Sequence, residues 1–219
     1  MKNSAALILA ATTAFVVLAT VVQCGKSEHF SAPLERKLAG LPAPQPNDTF
    51  KKASRIAVKR AADPDAAKIA KVPVKTTIEA MLQQVRPDDL NADISTEAYQ
   101  NRRIGPFETT LWQVDATVTE IVKRSDGDYY LVIEDGKGHK SVVEVPDPEL
   151  CKDSVKLAEI TALRKQLEAK FHPSAQPQTL KVKARISGLG FFGFAKSRDG
   201  KPPTNGARLM PGLKIDWLN

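Results

Sequence analysis

The chain has 219 residues, 42% of them apolar, with two cysteines, three histidines and a formal charge of +7. That length holds one ordinary domain with extensions, or two small ones, and two cysteines exclude a dense disulfide framework. The charge is not spread evenly: from Ile104 onward 17 Lys and Arg face 15 Asp and Glu, a net of +2, so +5 belongs to residues 1–103.

Residues 1–24 open on Lys2, followed by an uncharged run from Asn3 to Gln23 whose apolar part is Ala5 to Val22. A basic start and an apolar centre are the pattern of a signal peptide, and the run is long enough to serve instead as an N-terminal membrane anchor. Cys24 adds a lipid anchor as a third alternative, although Gln23 is a poor residue ahead of a lipidated cysteine. Each alternative places the rest of the chain outside the cytoplasm, periplasmic or secreted, with the membrane-anchored form held through residues 5–22. If a leader is removed at or just after Cys24, Cys151 is the remaining thiol and is expected to be a small buried hydrophobe.

Residues 25–75 are expected to be a largely disordered linker. Pro33, Pro42, Pro44 and Pro46 break the first half, and the basic stretch Lys51 to Lys75 has few large apolar residues to offset backbone ordering. Its lysines suit either a solvated tether or contact with an anionic lipid or polymer. Residues 76–103 hold a short amphipathic helix and a connection. Ile78, Met81, Leu82 and Val85 form one stripe, Thr76 and Glu79 have capping-box spacing, and Arg86-Pro87 closes the element.

Residues 104–219 read as a β domain. Trp112, Val114, Ala116 and Val118 alternate with polar residues, Asp126-Gly127 makes a turn, and Tyr129 to Glu134 is a strand. A second turn at Asp135 to Gly138 returns the chain as Ser141 to Val145, which Pro146 and Pro148 end. A helix follows, capped by Asp153 or Ser154, with Leu157, Ile160, Leu163, Leu167 and Phe171 on one face and His172-Pro173 at its stop. A fourth strand puts Leu180, Val182, Ala184 and Ile186 inward and ends at the bend Gly188-Leu189-Gly190. The fifth runs roughly from Ala207 to Trp217. Three strands, one helix and two strands is the order of a five-stranded OB-fold-like Greek-key barrel with a helix between strands 3 and 4.

Four segments, "DGDYYLVIED", "VVEVPDPELC", "RISGLGFFGF" and "PPTNGARLMPGLKI", resemble a family of small bacterial extracytoplasmic domains. Its pattern runs Asp-Gly-Asp, Glu-x-Pro then Cys, Gly-x-Gly-Phe-Phe-Asp, and Asn-Gly-x-Glu-Leu-His-Pro, and the similarity covers Glu108 to Ile215. The resemblance implies an OB-like fold in an exported protein and no assigned activity. Asp126, Gly127, Asp128, Glu144, Pro146, Cys151, Gly188, Gly190, Phe191, Phe192, Asn205, Gly206, Leu209 and Pro211 match it. Gly193, Arg208 and Met210 stand where the pattern has Asp, Glu and His, which argues against chemistry by those groups.

The candidate ligand-binding residues are Phe191, Phe192 and Phe194, the loop cations Lys196, Arg198 and Arg208, and the row Lys181, Lys183, Arg185. The first use expected of the rings is to close the open end of a small barrel, and the alternative is a ligand platform, because rings interleaved with cations suit stacking on a polymer. A weak metal alternative rests on Asp126, Asp128, Glu134 and Asp135, with oxygen ligands suited to calcium. His139 and His172 are isolated and are expected at the surface or a helix end. No cofactor and no catalytic residue is indicated. The expected function is an exported, tethered binding or interaction module without catalysis. Two alternatives are a metal-dependent phosphodiesterase or nuclease-like enzyme, and a binder of single-stranded nucleic acid or anionic oligosaccharide. Expected partners are an envelope polymer, a lipid surface or another envelope protein. The near-neutral charge of residues 104–219 disfavours nucleic acid.

Overall fold

The computed structural model describes residues 55–88, 90, 97–193 and 205–219. Residues 1–54, where a leader and most of a linker are expected, and Phe194, Lys196 and Arg198 lie outside the described residues. In chain order the elements are α1 (Ile56–Lys59), a 3-10 turn (Ala66–Lys68), β1 (Val74–Thr76), α2 (Ile78–Leu82) and α3 (Glu97–Gln100). They continue with β2 (Leu111–Lys123), β3 (Tyr129–Glu134), β4 (Lys140–Val145), a 3-10 turn (Pro148–Leu150), α4 (Leu157–Phe171), β5 (Gln178–Phe192) and β6 (Ala207–Trp217). None of the described helices is long and apolar enough to cross a membrane.

The protein is mostly β, built on one six-stranded mixed sheet in the order β1-β2-β3-β4-β6-β5. Strand β2 also pairs with β5, so β2, β3, β4, β6 and β5 return on themselves as a ring. The ring is not a clean barrel. Its β4–β6 seam is parallel and rests on one register pair, Val143 opposite Leu209, whereas β2–β5 runs through a long antiparallel ladder.

Alternation explains the register. In β3 the side chains of Tyr129, Leu131 and Ile133 point inward, and in β4 those of Ser141, Val143 and Val145 do the same. Strand β2 buries Val114, Ala116 and Val118, then slips register between Val118 and Glu120. That slip switches the inward parity, so Ile121 joins the core, while Val122 on the opposite face is covered separately. Helix α4 closes the core with Ile160, Leu163 and Leu167, each at most 2% exposed. Full burial of such a side chain contributes about 1.5–3 kcal/mol.

The structure corrects several expectations. The sheet has six strands rather than five, because β1 pairs in parallel with β2, Val74 opposite Trp112 and Thr76 opposite Val114. Residues 55–75, expected as linker, form α1, a turn and β1 and bury Arg55, Val58, Ala61, Asp63, Ala66 and Ile69. Charged side chains are buried there beside the apolar ones, each with a partner of opposite sign. Arg55 pairs with Glu108 and Arg103 with Asp63, all four side chains at most 2% exposed. Helix α2 is shorter than its stripe, so Val85 lies beyond it and is exposed. Thr77 rather than Thr76 caps it, accepting from the Ala80 amide at 3.0 Å. The cap of α4 also differs: its first turn follows Lys156, and no side chain caps it.

Strand β5 does not end at Gly188-Leu189-Gly190 but runs on through Phe192, with register shifts on both sides of Gly188. A β-carbon on Gly190 would lie 2.2 Å from the Phe107 carbonyl oxygen. That carbonyl accepts from the Trp112 indole at 2.8 Å, so the strand meets another backbone there and only glycine fits.

Candidate ligand groove

A groove of about 510 Å³ opens where the partner strand of β2 changes. Strand β1 covers β2 from Trp112 to Val114 and β3 takes over at Thr117. Gln113 and Asp115 line the groove from β2. One wall is the corner from β1 into α2, residues Lys75 to Glu79, and the other is the hairpin turn Asp135, Gly136 and Lys137. Its volume is in the range of small-ligand clefts.

Each wall is fixed locally. The hairpin turn is held by the Asp135 carboxylate, which accepts from the amides of Lys137 and His139 at 2.8 and 3.0 Å and pairs with the His139 ring. Across the groove, Lys137 reaches the Glu79 carboxylate at 3.6 Å, an exposed contact that adds little stability. The side-chain amide of Gln113 donates to Ser187 Oγ at 3.2 Å. Asp115 accepts two bonds from the Arg185 guanidinium, at 2.7 and 2.9 Å. That bidentate bond holds its carboxyl below the usual carboxylate range. The groove therefore offers ammonium, carboxylate, amide and hydroxyl groups within one cleft.

The basic row is real and adjoins this groove. Lys181 and Lys183 are exposed on β5, and Arg185 on the same strand is the residue that grips Asp115. Arg208 is separate from the row. It lies partly buried and pairs with Glu144.

Phe191 and Phe192 take the core-closing use rather than the platform: each is 2% exposed. The Phe192 ring sits 4.8 Å from that of Phe107, and Phe191 clusters with Val58 and Met210 beneath the Arg55 guanidinium. Rings closed off in this way offer no stacking surface, so both leave the ligand-binding set. Phe194, Lys196 and Arg198 lie outside the described residues.

The acidic set does not converge. Asp126 and Asp128 stand before β3 and Glu134 and Asp135 at its far end, about 20 Å apart at strand spacing. Asp126 accepts from the Asp128 amide at 3.2 Å, Asp128 from the Asp147 amide at 2.9 Å, and Glu134 pairs with Lys140. Among the described residues no cluster of three His, Cys, Asp or Glu is placed to hold a metal. Cys151 is buried, as expected, and donates to the Asp147 carbonyl. Burial pushes its thiol up, which keeps it protonated and unreactive. His172 ends α4 in a left-handed conformation and is exposed.

The sequence reading missed Lys75, Gln113, Asp115, Glu79 and Lys137 as a group. They come from three separate segments, and no local motif joins them. No protein-family model, curated protein or solved structure matches this chain.

Proposed function

We propose that the protein is an exported, tethered binding module on an OB-like scaffold, without catalysis, whose ligand is a polyhydroxylated envelope polymer such as an oligosaccharide. The scaffold reading is supported by a ring in the order β2-β3-β4-β6-β5, its parallel β4–β6 seam, and α4 inserted between β4 and β5. The resembled extracytoplasmic family and the apolar run Ala5 to Val22 support export.

The observation that carries the ligand surface is the Asp115–Arg185 pair. One partner lines the groove and the other belongs to the cationic row, so cleft and row form one continuous surface. A chain of hydroxyl groups is served by both donors and acceptors, which this cleft supplies, and an extended polymer could leave it along Lys183 and Lys181. Nucleic acid fits less well because Phe191 and Phe192 are not available to stack on bases. The split acidic set likewise gives no support to a phosphodiesterase.

The test is calorimetric titration of the purified protein with a glucan oligomer, an N-acetylglucosamine oligomer, an oligogalacturonate and oligo-dT, each at low and high salt. Binding of one saccharide that Gln113→Ala and Asp115→Asn abolish, with unchanged melting temperature, supports the reading. Failure of every saccharide, or binding indifferent to both substitutions, overturns it. Tight, steeply salt-dependent binding of oligo-dT alone replaces it with a nucleic-acid function.

A further inference from the structure

Residues 1–54 join the described structure at Arg55, a fully enclosed side chain. Its Nη1 and Nη2 donate to Glu108 Oε1 and Oε2 at 2.7 and 2.6 Å, its Nε to the Tyr99 carbonyl at 2.9 Å, and Nη2 also to the Arg102 carbonyl at 3.1 Å. Its backbone is left-handed at φ 47, a conformation costly for a side-chain-bearing residue and kept only where surroundings over-determine it. Glu108 is equally committed. Besides Arg55 it accepts the Phe192 amide at 2.8 Å on Oε1 and the Ile104 amide at 2.8 Å on Oε2. Arg55 Nη1 lies a further 3.4 Å from the Phe192 carbonyl.

From Phe192 the contacts continue to the groove. Phe192 pairs with Ala207, and the Gly193 amide donates to Gly206 at 2.9 Å. Asn205, next to Gly206, donates its side-chain amide to the carbonyls of Met81 and Gln84, both at 3.0 Å. Those carbonyls close the C-terminal end of α2, whose other end supplies Ile78 and Glu79 to the groove.

We propose that Arg55 is a clasp that positions the groove wall: seated on Glu108 it holds the β5–β6 end and, through Asn205, the α2 wall. Withdrawing Arg55 leaves the Glu108 carboxylate buried with two amides and no counter-charge, a state relieved by letting the Phe191–Gly193 end move. Because coupling is reciprocal, a ligand that fixes the α2 wall also tightens the seating of Arg55. This positioning role rests on the groove reading above, but the coupling itself is testable without any ligand.

The experiment is amide hydrogen exchange on the full chain, comparing wild type with Arg55→Ala and Arg55→Lys. Arg55→Ala is expected to raise exchange about tenfold or more at Phe191 to Gly193, Ala207, Arg208, and the Gln83 and Gln84 amides, with β3 protected as in wild type. Arg55→Lys, which keeps the charge but not the fork, is expected to fall between. If Arg55→Ala does not fold, the Arg55→Lys pattern decides. Equal loosening of β3 makes Arg55 part of one cooperative core and overturns the clasp, as does unchanged exchange at the β5–β6 end or at α2. Oligosaccharide binding plays no part in this readout, so loss of the groove reading and loss of the coupling are told apart.

Discussion

The Arg208 guanidinium lies against the α-carbon of Gly193, so that a β-carbon there would be 2.4 Å from its Nη2 and 2.5 Å from Cζ and Nε. From that position Arg208 pairs with Glu144. Gly193 and Arg208 are therefore in contact, and the missing β-carbon at Gly193 is what accommodates the guanidinium. Gly193→Ala should drive Arg208 off Glu144. The displaced group is the end of a flexible side chain, so the loss should be only about 1 kcal/mol. In an Arg208→Ala background the same change should be neutral. Urea denaturation of the four-member cycle measures this coupling, and additive losses would show that the two positions are independent.

The Arg103–Asp63 pair should behave as a buried ion pair with other duties. Arg103 donates to Asp63 at 3.1 and 2.7 Å, and also to the carbonyls of Glu108 and Val58, each at 3.1 Å. Asp63→Ala leaves a buried guanidinium uncompensated and should cost about 3–5 kcal/mol in chemical denaturation. Asp63→Leu with Arg103→Met should recover only part of that, because the two carbonyls lose their donor. Full recovery would mean that water or a neighbour replaces Arg103.

Phe192 is a core residue, so Phe192→Ala should unsettle the fold rather than a ligand contact. The loss expected for emptying such a site is about 3–5 kcal/mol, read as a lower urea midpoint. A protein that kept wild-type stability would show that the site collapses around the missing ring.

What could be read in advance was what repeats locally. Asp126-Gly127, the alternation Tyr129 to Glu134 and the stripe Ile160, Leu163, Leu167 each carry their signal within a few residues, and β3 and α4 follow from them. The segment from Arg55 to Ile69 carries no such signal. Its order depends on Glu108, 53 residues from Arg55, and on Arg103, 40 residues from Asp63. Counting large apolar residues predicts disorder where small apolar side chains and two paired charges are buried together. Strand β1, three residues long after Pro73, exists because β2 offers it an edge. The aromatic run was visible, but its use depended on the Phe107 ring and carbonyl arriving beside it. Lys181 and Lys183 could be placed on an outer face by alternation alone, whereas the groove beside them needed the strand register.

The last prediction concerns pH and Asp128. Burial pushes its carboxyl up from an ordinary 3.8 to about 6, and the carboxylates of Asp126 and Glu144 push the same way, against the hydrogen bond from the Asp147 amide. The folded state thus holds this proton more tightly than the unfolded chain. Between about pH 4 and 6 the native carboxyl keeps the proton that the unfolded one has released, so its contribution to stability is full below pH 4, falls as pH rises, and levels off above 6. Asp128→Asn keeps an oxygen to accept from the Asp147 amide and removes the charge. The variant should melt higher than wild type at pH 7 and nearly together with it at pH 4. Other carboxylates titrate over the same interval, so the informative quantity is the difference in melting temperature between the two proteins across that range. A difference that does not change with pH would mean that the Asp147 amide and burial cancel, and a variant less stable relative to wild type at pH 7 than at pH 4 would mean that the amide favours the ionised carboxylate by more than burial disfavours it.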